Sequence, residues 1–137
     1  MPTSADNLYL DSSALVKLVV DEAESQTLRG FLAGRAGRAT SELARAEVVR
    51  AVRPHGEDAV RRARELLLEL ETLVPLDSKL LDDAADVEPG GLRTLDAIHL
   101  AAAATTLNGN GELITYDHRM QAAARALGFT VVAPGQR

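Results

Sequence analysis

The stretch LYLDSSALVKLVVDE, from Leu8 to Glu22, decides how the rest of the chain is read. Leu8, Tyr9 and Leu10 form a short apolar run, the pattern of a strand buried on both faces. The run stops at Asp11. Ser12 or Ser13 can then cap a helix over about 13–21, with Leu15, Leu18 and Val19 on one face. Asp11 therefore stands where a buried strand ends and a helix begins. It can serve the helix N-terminus by capping or through the macrodipole. It can equally form one wall of an acidic pocket whose other walls lie far along the chain.

The same strand-to-helix alternation continues downstream. A helix over about 23–33 groups Leu28, Phe31 and Leu32 and ends at Gly34. GRAT (37–40) is a weak strand, and Thr40 or Ser41 opens a helix that Pro54-His55-Gly56 stops. Residues 57–72 are strongly amphipathic, with Ala59, Val60, Ala63, Leu66, Leu67 and Leu70 on one side and Arg61, Arg62, Arg64, Glu65 and Glu69 on the other. TLVPL (72–76) is a strand whose Pro75 points to an edge or a strand end. A helix over about 77–87 follows, then an alanine-rich helix capped by Thr94 and broken by NGNG (108–111). ELITY (112–116), a helix closed by Gly128, and FTVV (129–132) complete the pattern, and 133–137 is expected to be a loose tail. Five strands separated by helices imply right-handed crossovers and a mainly parallel α/β sheet covered on both faces.

Length and composition bound the function. A chain of 137 residues suits one domain over 1–137 with its own core. The absence of cysteine excludes disulfides and thiolate metal sites. No apolar run approaches the roughly 20 residues of a membrane span. MPTSADN has neither a basic nor an apolar leader segment, so a cytoplasmic protein is expected. The net charge of −5 argues against general nucleic-acid binding, but the charge is uneven. Nine arginines face four acids between Arg29 and Arg64, whereas nine acids face two bases from Glu65 to Asp96. That asymmetry can give an acidic protein a basic face.

Ligands of open parallel sheets collect beyond the carboxyl ends of the strands. Asp11 follows the first strand and Asp117 follows LITY, so both project into one crevice if those strands are neighbours. Asp96 lies in the first turn of the alanine-rich helix, and Glu47 lies within LARAEVVRAV. Taken singly, the aspartates are explained by helix N-termini, and Glu47 by an ion pair with Arg50 or Arg45. Taken together they imply more. Carboxylates about 4 Å apart repel by roughly 4 kcal/mol at an effective dielectric of 20, so a cluster either takes up protons or recruits a cation. Oxygen donors without cysteine favour Mg²⁺ or Mn²⁺, which keeps waters that can be aimed at a phosphodiester.

These segments together resemble the PIN domain, specifically the VapC toxins of bacterial toxin–antitoxin pairs. YLDSSALVKLVVDE is similar to the family's opening motif, SELARAEVVRAV to its second, LRTLDAIHLAAA to its third and LITYDHRMQAAARALGFTVV to its closing motif. The resemblance implies a PIN-like three-layer α/β/α fold with a central five-stranded sheet. It implies an endoribonuclease dependent on Mg²⁺ (or Mn²⁺), with Asp11, Glu47 and Asp96 as central carboxylates and Asp117 completing the metal cage. Asp11, Asp96 and Asp117 are the expected metal ligands, and Ser12 or Thr115 would orient a carboxylate or a metal-bound water. Arg93 and Arg119 are candidates for holding RNA phosphates. The family further implies a homodimer and a cognate VapB-type antitoxin that occludes the pocket. His99, three residues after Asp96, continues an apolar helix face and is expected to be a packed histidine; Glu42 is a rival to Glu47.

Other carboxylate chemistries fit less well. A haloacid-dehalogenase-type phosphatase wants a second aspartate two residues after the first, where this chain has Ser13. A receiver domain wants a late lysine, and none follows Lys79. A housekeeping RNA-processing nuclease and a non-catalytic protein-binding module are the alternatives that remain.

Overall fold

The computed structural model describes residues 7–137; residues 1–6, which carry most of the expected leaderless N-terminus, lie outside them. Five strands form one sheet: β1 (Leu8–Leu10), β2 (Arg38–Ser41), β3 (Thr72–Val74), β4 (Glu112–Ile114) and β5 (Val131–Val132). They run in the order β3-β2-β1-β4-β5, and every pairing is parallel. The expectation of a mainly parallel five-stranded sheet is met. β1 is central, with Leu8, Tyr9 and Leu10 level with Glu112, Leu113 and Ile114 of β4.

The pleat of β1 divides the core into two. Leu8 and Leu10 point to the face covered by α1 (Ser12–Val19), α2 (Ser25–Leu32), α3 (Ala44–Val52) and α4 (Glu57–Glu69). Tyr9 points to the face covered by α5 (Ser78–Ala85), α6 (Thr94–Leu107) and α7 (His118–Ala126). The alanine run of α6 lets that helix lie close to the sheet, so its residues from Ala97 to Ala103 are all buried. β3 is an edge strand and ends immediately before Pro75, as the missing N–H of proline requires.

Helix starts differ from expectation in an informative way. The cap of α1 is Asp11, not Ser12 or Ser13, and its side chain accepts from the Ala14 N–H. Asp117 caps α7 and Asp77 caps α5 in the same manner. Thr94 is the first residue of α6 rather than its cap; Arg93 takes the cap position and makes no capping bond. β4 stops at Ile114, two residues short of its expected end, where the Tyr116 N–H turns to the Ser13 hydroxyl at 2.9 Å. Residues 133–137, read from sequence as loose, are strapped to this segment. Gln136 donates to the Tyr116 carbonyl at 2.8 Å, Gln121 donates to the Gln136 side chain at 2.7 Å, and the Tyr116 hydroxyl donates to the Pro134 carbonyl at 2.8 Å.

Gly111 enters β4 with φ +111°, and a Cβ there would run into the Asn7 carbonyl oxygen, which the Glu112 N–H holds in place. Gly111→Ala is expected to destabilise the fold by at least about 1 kcal/mol. A thermal melt checks this against Gly90→Ala, where nothing lies within 4 Å of the added carbon and little change is expected.

Candidate active site

Four acids from separate parts of the chain line one cavity of about 310 Å³ at the carboxyl ends of β1 and β4: Asp11, Glu47, Asp96 and Asp117. β1 and β4 are neighbours, so the strand-end aspartates Asp11 and Asp117 reach the same crevice. Glu47 comes from α3 and Asp96 from the first turn of α6. His99 and Arg93 complete the titratable lining.

Asp11 is 4% exposed. Its Oδ1 accepts from the Ser13 hydroxyl at 2.6 Å and the Ala14 N–H at 3.1 Å, and its Oδ2 accepts from the Thr115 hydroxyl at 2.5 Å. Burial pushes the Asp11 carboxyl above its ordinary range, opposed by His99 and by the bonds from Ser13, Thr115 and Ala14. Thr115 therefore holds Asp11 through a hydroxyl from the neighbouring strand end.

Among the described residues Glu47 does not form the alternative ion pair with Arg50 or Arg45; Arg45 pairs with the rival Glu42 at 3.6 Å. Instead its Oε1 accepts from the Ser12 hydroxyl at 2.5 Å and meets His99 Nε2 at 2.6 Å. Burial raises the Glu47 pKa, but the His99 and Ser12 bonds outweigh it, so the carboxyl lies below its ordinary value. His99 is packed, as its helix face implied, and it also reaches the site. The Tyr9 hydroxyl lies 2.7 Å from His99 Nδ1, and burial holds that phenol far above its usual pKa. The protonated Tyr9 hydroxyl can donate to Nδ1, and in the tautomer in which Nδ1 accepts, Nε2–H donates to Glu47. Sequence reasoning passed over Tyr9. The available signal was a phenol in a fully buried strand, whose hydroxyl requires a partner.

Asp96 and Asp117 share Arg93. The guanidinium donates from Nε to Asp96 Oδ2 at 3.0 Å and from Nη2 to Asp117 Oδ2 at 3.3 Å. Asp117 Oδ1 accepts from the Arg119 and Met120 N–H groups at 2.9 and 3.0 Å. Capping and pocket formation, posed from sequence as alternatives, coincide at Asp11 and Asp117. The Arg119 and His118 side chains are exposed on the first turn of α7 and do not line the cavity.

The donor set suits a hard divalent cation. It offers carboxylate oxygens and no thiolate, and it includes a buried acid with no arginine or lysine partner among the described residues. Among the described residues no three acidic or imidazole groups yet converge tightly enough to share an ion, because each is turned towards its own protein partner.

Residues 8–126 match the family model of the PIN domain, and the chain belongs to that family. Its relatives include Ribonuclease VapC46 of Mycobacterium tuberculosis, strain H37Rv, 50% identical over 127 residues that cover 93% of this chain and 97% of that protein. Ribonuclease VapC47 of the same species, strain CDC 1551, is 41% identical over 133 residues, covering 93% and 97%. In fold the chain is similar to the crystal structure of M. tuberculosis VapC20, described as a Sarcin-Ricin loop cleaving toxin. The TM-score is 0.74 at 20% identity, over 93% of this chain and 100% of that one.

The burial of Asp11 has a pH signature. Unfolded, its carboxyl titrates near about 3.9; folded, it titrates higher. Between those values the native state binds more protons, so stability falls as pH rises through that window and the penalty then stays constant. Asp11→Asn removes the penalty. In chelator-treated protein it is expected to melt several degrees above the wild type at neutral pH, with the gap closing as pH falls towards about 4.

Proposed function

We infer that this chain is a metal-dependent endoribonuclease, a hydrolase that acts as the toxin of a type II toxin–antitoxin pair. The carrying observation is the convergence of Asp11, Glu47, Asp96 and Asp117 on one cavity at the carboxyl edge of the sheet. Membership of the PIN-domain family and the ribonuclease relatives support the same activity.

Asp11, Asp96 and Asp117 would hold Mg²⁺ or Mn²⁺. A cation bound there supplies Lewis acidity towards a phosphate oxygen and a water of lowered pKa. The residues of the chain do the rest. Thr115 and Ser13 orient Asp11 through its two oxygens. Ser12 and His99 both engage Glu47 at Oε1, which leaves Oε2 to accept a hydrogen bond from the attacking water. Arg93, at the cavity wall, takes a phosphate oxygen of the scissile linkage, and Arg119, outside the cavity, takes a phosphate further along the strand.

The partners follow from the same family: single-stranded or looped RNA as substrate, a VapB-type antitoxin covering the cavity, and a homodimer in the cytoplasm. No helix of the described residues is long and apolar enough to cross a membrane. A non-catalytic binding module is disfavoured by the complete acidic set, since a carboxylate as buried as Asp11, with no arginine or lysine partner among the described residues, costs stability unless it has chemistry to perform.

Structured RNAs incubated with the purified protein are expected to be cut with Mg²⁺ or Mn²⁺ and left intact with EDTA. Asp96→Asn and Glu47→Gln are each expected to lower the rate by about 100-fold or more while melting as folded proteins. Full cleavage by either variant, or cleavage in EDTA, would overturn the assignment.

A further inference from the structure

Asp117 has only one oxygen to offer a cation. Its Oδ1 is committed to two backbone N–H groups at the start of α7, at 2.9 and 3.0 Å. Those bonds also cap the helix, so Oδ1 is not readily released. Oδ2 is the oxygen that points away from the cap, and Arg93 Nη2 holds it at 3.3 Å. The same guanidinium holds Asp96 Oδ2 through Nε at 3.0 Å. One side chain therefore joins an acid of α6 to the acid that follows β4, spanning the gap between two expected metal ligands.

The two sides of this contact differ in freedom. The Asp96 side chain is 15% exposed and that of Asp117 36%, whereas the Arg93 side chain is 57% exposed. Arg93 also stands at the N-cap of α6, where its carbonyl accepts the Ala97 N–H but its side chain makes no capping bond. Its guanidinium can leave for solvent or for a phosphate without breaking secondary structure. Arginine stays protonated throughout the working pH range, so its own titration does not release the two carboxylates.

We propose that Arg93 is a resident counter-ion of the acidic site, one that a divalent cation must displace from Asp117 Oδ2 and Asp96 Oδ2 before it can bind. The displaced guanidinium stays at the cavity wall, where a phosphate of the RNA becomes its new partner. Metal binding and phosphate binding then favour one another. Each frees the group that the other needs, and such coupling is reciprocal. This rests on the view that these carboxylates hold a divalent ion.

Calorimetric titration of Mn²⁺ into wild type, Arg93→Ala and Arg93→Lys tests the proposal without reference to activity. Arg93→Ala is expected to bind Mn²⁺ about five- to tenfold more tightly at low salt, with the gap narrowing as added salt screens the wild-type ion pairs. Arg93→Lys, which keeps the charge but not the two-pronged reach, is expected to fall between them. A thermal melt confirms that both variants are folded. If wild type binds Mn²⁺ and Arg93→Ala binds it equally or more weakly, the counter-ion role is overturned while the metal site stands. If neither protein binds Mn²⁺, the metal site itself is wrong and the proposal falls with it.

Discussion

The Asp11 carboxylate lies at the end of the central strand, 4% exposed, and its partners among the described residues are two hydroxyls and one peptide N–H. A negative charge in that position has lost most of its hydration without gaining an arginine or lysine in return. Much of the surrounding structure can be understood as its support. Ser13 bonds both Asp11 and the Tyr116 N–H, so the turn out of β4 is tied to the turn out of β1. Thr115 closes the same link from the other strand. Asp11 therefore sits where two parallel strands and the helices after them meet.

Charge is balanced locally rather than by the net composition. Two acids lean on Arg93 and Glu47 is hydrogen-bonded to Ser12 and His99, while Asp11 has hydrogen bonds and the neighbouring His99 but no arginine or lysine partner among the described residues. His99 is itself oriented by Tyr9 from within the sheet, through an edge contact of the rings 5.9 Å apart as well as the hydroxyl. A chain of contacts thus runs from a fully buried strand side chain to a carboxylate at the cavity. Such a network holds Glu47 in one orientation, which a reaction needing an aimed water requires.

The site also shows how structural and chemical roles share one residue. Asp11 and Asp117 each cap a helix with one oxygen. The cap fixes the carboxylate at a strand end, and the second oxygen meets another side chain, Thr115 for Asp11 and Arg93 for Asp117. Because of this dual use, asking of each aspartate alone whether it caps or catalyses could not separate the two. The C-terminal strap adds a further constraint, since Gln136 and Gln121 bond the carbonyls of Tyr116 and Thr115 directly beside Asp117.

By itself the sequence determined the elements and the places of the acids along them. Apolar runs, helical periodicity and breakers act over a few residues, and the caps at Asp11 and Asp117 are three-residue contacts, so both are written locally. The four ordered motifs added the family and the identity of the acidic set. Only the tertiary structure decided which partners those acids take. Glu47 had an ion pair with an arginine of its own helix as its local alternative, but it faces Ser12 and His99, 35 and 52 residues away in sequence. Arg93, a candidate RNA contact from sequence, also bonds Asp96 and, 24 residues along the chain from itself, Asp117. Such pairings depend on β1 lying next to β4 and on how α3 and α6 pack across the end of the sheet, and no local pattern encodes where a side chain's long-range neighbour will be.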